Sequence, residues 1–201
     1  MSSLLDLLYE HACVSYEKQE ALERLIGDRP WTFELAKGSL SFGPDLSFAV
    51  QVLGTESAKR RTWLWSWANQ ISPVPEKLLD SALRLRELGR REAIPQLTTP
   101  EVPLSEIDGH HLSLVASGLL SASAYYRGPY EGGAVFLLIQ DPRIARQRPT
   151  KVKEMERFFG YFCSRVGLKN DEPAYIAYLR NLGWECKVQA GETRGSTKPT
   201  W

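Results

Sequence analysis

Three of the chain's six tryptophans fall on alternate positions of one run, Thr62-Trp63-Leu64-Trp65-Ser66-Trp67-Ala68-Asn69. A period of two is strand geometry. Trp63, Trp65 and Trp67 are therefore expected on one face, with Leu64, Ser66 and Ala68 on the other. Each indole can bury about 150–250 Å². At about 25 cal/mol per Å² that is roughly 4–6 kcal/mol gross apiece, an upper bound before entropy. At least two of the three are expected in a core, and the small opposite face lets a helix approach closely. The other use of such a row is an aromatic groove, with Asn69 at the strand end orienting a polar group. A chain of 201 residues supplies the core, because a domain of that size buries roughly 70% of its unfolded surface without metal or disulfides.

Around this run the hydrophobic period changes repeatedly. Residues 3–26 carry Leu4, Leu8, Ala12, Leu22, Leu25 and Ile26 on one helical face, ended by Gly27-Asp28-Arg29-Pro30. Alternating segments follow at Trp31–Leu35, Leu40–Phe42 and Leu46–Leu53, then a loop from Gly54 to Arg61. Together with the tryptophan run they predict an antiparallel meander. Ser72-Pro73-Val74-Pro75-Glu76 starts a helix running to Arg91, and Pro95, Pro100 and Pro103 imply an extended connection. Ser105-Glu106-Ile107-Asp108 resembles a capping box for a helix to about Ala124. The apolar run Ala134–Ile139 predicts a buried central strand. Helices at Thr150–Val166 and Ala174–Asn181 and a strand at Trp184–Val188 complete the expectation. The fold class is α+β: an antiparallel sheet of about five or six strands packed by an N-terminal helix and several later helices. One domain is expected over residues 1–190, followed by a polar tail over 191–201.

Composition narrows the class. The net charge is +1, which argues against a protein that wraps phosphates of nucleic acid. Cys13, Cys163 and Cys186 are scattered and odd in number, so reduced thiols in a cytoplasmic protein are expected. The N-terminal run lacks a basic region, Asp6 and Glu10 interrupt it, and no segment reaches the about 20 apolar residues of a membrane span.

Three motifs carry a resemblance. LGTES (Leu53–Ser57), TWLWSWAN (Thr62–Asn69) and SGLLSASAYYRGPYEGG (Ser117–Gly133) resemble a bacterial domain family of unknown function with a WLWxWAN signature. The likeness covers roughly residues 5–140 and implies no activity.

The segment Tyr125–Gly133 reads as a loop with two tight-turn signals. Its Arg127 is suited to hold a carboxylate or phosphate bidentately, or to pair with Glu131 or Glu56. The candidate binding residues are Tyr125, Tyr126, Arg127, Tyr130, Glu131, Glu56, Asn69 and His11. His11, Ser15 and Gln19 follow i, i+4, i+8 on the apolar stripe, as a core network or as one wall of a polar pocket. His110 and His111 diverge by about 100° on a helix and read as a solvated helix start, not a metal site. Arg143, Arg146, Arg148, Lys151, Lys153 and Arg157 read as a solvated basic run. With no phosphate loop, zinc spacing or nucleophile–base set, no cofactor, metal or catalytic residue is assigned. The expected function is non-catalytic binding to a protein partner, in the manner of an immunity protein neutralising a bacterial toxin. The alternative is a small-molecule-binding domain or enzyme with a pocket near Tyr125–Glu131, Glu56 and His11. Convergence of His11, Glu56 and Arg127 in one cleft favours the alternative; a flat aromatic or charged face favours the first.

Overall fold

The computed structural model describes residues 3–105, 107–146, 149–168, 172–184 and 186. It opens on helix α1 (Leu4–Ile26), started by a reciprocal Ser3–Asp6 capping box and ended at Gly27. Strands β1 (Trp31–Glu34), β2 (Ser39–Phe42) and β3 (Leu46–Ser57) follow as antiparallel neighbours. Strand β4 (Thr62–Trp65) returns beside the end of β3. Helices α2 (Asp80–Glu92) and α3 (Pro95–Thr98) lead to the short strand β5 (Glu101–Pro103). Helix α4 (Gly109–Leu119) precedes the hairpin of β6 (Ala124–Tyr130) and β7 (Gly133–Ile139). Helices α5 (Val152–Val166) and α6 (Glu172–Asn181) come last. The architecture is α+β, with a curled antiparallel sheet of seven strands.

Strand β7 lies between two cores. Ala134, Phe136 and Leu138 join the first, with Trp63, Trp65 and residues of α2, α4, α5 and α6. Leu137 and Ile139 join the second, with Phe42, Phe48, Val50 and Val52. That is why its sequence is continuously apolar. Helix α1 serves both, with Leu4–Cys13 in the first core and Ala21 and Leu22 in the second.

Several expectations need correction. The stretch from Gly54 is not a loop. Gly54–Ser57 pairs with β4 on one edge and β7 on the other, so β3 continues to Ser57. Trp67 does not share the strand face of Trp63 and Trp65. The Ser66 hydroxyl donates to the Val52 carbonyl at 2.6 Å, and the chain turns into a short 3₁₀ segment, Ser66–Ala68. Trp67 instead lies 4.1 Å beneath the Arg86 guanidinium. The proline-rich connection is partly helical, since Pro95 sits in the first turn of α3. Tyr125–Tyr130 is strand rather than loop, because it has β7 to pair with. The basic run is not uniformly solvated: Arg146 reaches the buried Glu17 at 3.0 Å, where the Tyr178 hydroxyl also donates, and Arg143 pairs with Asp141. Arg148 lies outside the described residues, as do Glu106 of the expected capping box, most of the expected last strand and the tail. Trp184 and Cys186 are described and are not in a strand.

Trp63 and Trp65 are fully buried, edge-to-face with centroids 5.3 Å apart. The Trp65 Nε1–H donates to the Gln96 carbonyl at 2.9 Å. Gly54 makes room for the Trp63 indole: a Cβ there would lie 2.6 Å from both Trp63 Cζ2 and the Leu64 carbonyl oxygen. Trp65→Ala is expected to destabilise the fold by about 3–5 kcal/mol, and Gly54→Ala by about 1–3 kcal/mol through overpacking. Both are checked by chemical denaturation; an unchanged midpoint for either would remove that residue from the core argument.

Candidate functional site

The site begins with a β-bulge. Up to Val52, strand β3 pairs with β7 in one register, Val52 opposite Leu137; after the bulge Gly54 is opposite Phe136 and Glu56 opposite Ala134. Paired residues share a face. One extra residue, Leu53, therefore turns Glu56 from the second-core face, where Val50 and Val52 point, to the face of Phe136 and α4. Arg127, paired with Phe136, points the same way.

Helix α4 starts over this face. Asp108 is its N-cap, its carboxylate accepting the His111 backbone N–H at 3.0 Å. Glu56 Oε1 accepts the Gly109 backbone N–H at 2.7 Å, a carboxylate at the positive end of a helix. Gly109 allows this approach: a Cβ would sit 2.7 Å from Glu56 Oε1 and 2.6 Å from Phe136 Cζ. The other Glu56 oxygen faces Arg127 Nε at 3.7 Å. His110 Nδ1 lies 2.9 Å from the Tyr125 hydroxyl. Charged, His111 donates from Nδ1 to Asp108 at 2.8 Å and from Nε2 to the Val166 carbonyl at 3.1 Å. Neutral, its Nδ1 accepts the Asp108 backbone N–H at 3.2 Å instead.

Asp108, His110, His111, Tyr125 and Arg127 border a cleft of about 390 Å³ between α1, the start of α4, β6 and the end of α5, within the about 300–1,000 Å³ typical of small-molecule sites. The half-buried Tyr16, Ile26 and Val166 supply apolar surface, and His110, Arg127 and Arg165 its donors. Glu56 lies outside that lining; it borders a second hollow of about 310 Å³, which shares Asp108 and Arg127 with the first and adds Ser57, Arg61 and Ser105. Among the described residues, no group of three or more His, Cys, Asp or Glu side chains could hold a metal ion.

Of the residues singled out from sequence, Glu56, Arg127 and Tyr125 come together here. Tyr125 is buried on the cleft side, and Gln19 grips its strand edge: Nε2 donates to the Tyr125 carbonyl and Oε1 accepts its N–H, both at 2.8 Å. Tyr126 also lines the cleft, with its ring edge-to-face with Phe42 and Trp31. Tyr130 and Glu131 are exposed at the hairpin tip. Asn69 stands apart, its side chain accepting the Ser72 backbone N–H at 3.0 Å. His11 also lies outside the cleft lining, packed where α1 crosses Gly118 of α4. Asp108, His110, His111 and Arg165 take its expected place. His110 is exposed, as a solvated helix start implies, but it also meets the Tyr125 hydroxyl, and the half-buried His111 is held by Asp108 and Val166. The missed signal was Asp108-Gly109, a strong N-cap followed by glycine where a better helix former would ordinarily stand.

His111 should titrate above both His110 and His11. Burial works against the charged His111 ring, but the bond to Asp108 and the Val166 carbonyl outweigh it and raise its pKa above 6.5. Burial lowers His110 and His11 below 6.5. Burial would also raise Asp108, but the His111 bonds hold it at about 2. The raised His111 pKa means that its ion pair stabilises the fold fully below about pH 6.5 and fades as pH rises through the folded value. Asp108 stabilises above about pH 3.9 and loses this as pH falls through about 2. The lowered His110 and His11 values act oppositely to His111, costing stability as pH drops below about 6.5. Ring-proton NMR titration checks this; His111 titrating below His110 would contradict the geometry.

Among the described residues no helix is long and apolar enough to cross a membrane. No curated protein and no solved structure matches the chain. A family profile, described as a family of unknown function, matches residues 5–142, spanning the three motifs, the sheet, α4 and most of the cleft. The chain belongs to that family, DUF6882.

Proposed function

We propose that this protein works by binding, in the cytoplasm, and that the cleft beside Arg127 is its binding site for a small polar molecule. One observation carries the reading. Polar groups from separate sequence segments, Gln19 of α1, Asp108 and His110 of α4 and Arg127 of β6, line one hollow with an apolar wall, and Glu56 beside it ties the start of α4 to Arg127. Convergent polar groups at an apolar hollow are the usual form of a ligand site. The tyrosines count against a flat aromatic interface, since Tyr125 is buried and Tyr126 faces the second core.

A second reading has its own support. Tyr130 is 51% exposed at the hairpin tip, beside Glu131, and tyrosine is enriched where interfaces concentrate their energy. In this form the protein captures a protein partner, such as a bacterial toxin that it neutralises.

The two readings separate in one experiment. Wild type, Arg127→Ala and the Tyr130→Ala/Glu131→Ala double variant are incubated with extract of the native cells. Retained small molecules and proteins are then identified by mass spectrometry. The expected result is a small molecule held by wild type and the double variant but weakened about 10–100-fold by Arg127→Ala, the loss of about 1.5–3 kcal/mol for a bond to a charged group. Recovery of one protein partner, lost only in the hairpin double variant, would overturn the cleft in favour of protein capture.

A further inference from the structure

Among the described residues, the carboxylates beside Arg127 are hydrogen-bonded and its guanidinium is not. Asp108 Oδ1 is engaged by the backbone N–H and ring of His111. Glu56 Oε1 is engaged by the Gly109 N–H. Arg127 faces Glu56 only through Nε at 3.7 Å, beyond hydrogen-bond reach. Among the described residues its two terminal nitrogens make no hydrogen bond. One oxygen of each carboxylate is thus engaged within the protein and the second Glu56 oxygen faces Arg127 Nε, whereas the outer fork of the guanidinium remains available.

His110 adds a second donor. Tyr125 is buried, and burial keeps its phenol protonated. Its hydroxyl needs an acceptor, and among the described residues His110 Nδ1 is the partner it has. In the neutral ring the proton then sits on Nε2, the edge left without a partner among the described residues. Two other charged groups border the first hollow. Arg165, at the end of α5, lies over the Tyr161 ring at 5.9 Å. Glu23 of α1 is the opposing carboxylate, its pKa raised by burial and by nearby Glu20. The apolar wall of Tyr16, Ile26 and Val166 lies in this same hollow.

Building on the cleft reading above, we propose that the ligand is a ring-bearing anion, an aromatic carboxylate or phosphate. Its anionic group sits on the Arg127 fork and the His110 Nε2–H, and its ring lies along the half-buried Tyr16, Ile26 and Val166. The planar guanidinium matches either oxyanion bidentately. A neutral ligand would leave the fork unanswered, and a ringless anion would leave the apolar wall wet.

The test uses the full chain near neutral pH and at low salt, with four probes: benzoate, phenyl phosphate, neutral benzyl alcohol and inorganic phosphate. Calorimetry gives affinity, and NMR of the Arg127 Nε–H and His110 ring signals gives location. Benzoate or phenyl phosphate is expected to shift both signals, and the tighter of the two identifies carboxylate or phosphate as the native group. Arg127→Gln should weaken that probe by about tenfold or more, and Arg127→Lys, which keeps the charge but loses the fork, by less. Thermal unfolding of the Lys variant controls for folding. Benzyl alcohol binding in the cleft as tightly as the anions would overturn the anion assignment and leave the cleft standing as a binding site. Inorganic phosphate matching phenyl phosphate would overturn the ring assignment. No shift at either residue with any probe would sink both this inference and the cleft reading.

Discussion

The paired strands β3 and β7 have apolar surface on both faces, and covering both faces places most of what surrounds them. Phe136 and Leu138 face one way, Leu137 and Ile139 the other. No single layer can cover both faces. The chain answers with helices and the tryptophan strand on one side and the curl of β1 and β2 on the other. Helix α1, at 23 residues, is long enough to reach from the first core to the second, about 35 Å at 1.5 Å per residue. Helices α5 and α6 then close the first core over α1, tied through Glu17 to Arg146 and Tyr178. A buried ion pair adds little net stability, yet breaking it is costly. Its clearest effect here is to fix where the last helices sit.

Much of the fold was legible in sequence because burial writes itself as period. The 3.6-residue stripe of α1, the alternation in β1 and β2, and the unbroken apolar run of β7 each follow from how many faces the element hides. Boundaries set by partners distant in sequence were not legible. Gly54–Ser57 looks like a loop because glycine and glutamate are depleted in strands and Thr55 alone favours one. It is a strand because it is paired on two edges. Tyr125–Tyr130 looks like a turn because of Gly128-Pro129, yet β7 pairs it throughout. Trp67 continues the alternation in sequence but not in space, because the Ser66 bond to Val52 ends the strand first.

The site was half legible for the same reason. Arg127, Glu56 and Tyr125 stood out as residue types, and their meeting depends on register. His11 looked equally suitable on its stripe, but the close crossing of α1 and α4 at Gly118 absorbs it. His110 looked solvated and is exposed, but its bond to the Tyr125 hydroxyl depends on a strand distant in sequence. What period cannot convey is direction across a gap between elements, and ligand sites are made of such gaps. The last wall of the cleft, Arg165 and Val166, even comes from beyond the stretch that defines the family.

The extra residue at Leu53 has a consequence for how this family can vary. Side-chain parity along a strand is a two-valued label, and a bulge reverses it for everything downstream relative to a regular ladder. With Leu53 bulged out, Gly54 and Glu56 carry one label and Thr55 and Ser57 the other. Drawing Leu53 into the ladder would exchange them: the carboxylate would turn to the face of Leu137, and a threonine would stand under the start of α4. Deleting Leu53 would not, because Val52 and Gly54 would then be neighbours opposite Leu137 and Phe136, the partners they already hold. A binding face of this kind is therefore guarded by a pairing register rather than by an identity. A relative one residue shorter at this point can keep the face on a regular ladder, whereas a relative of the same length keeps it only with the bulge.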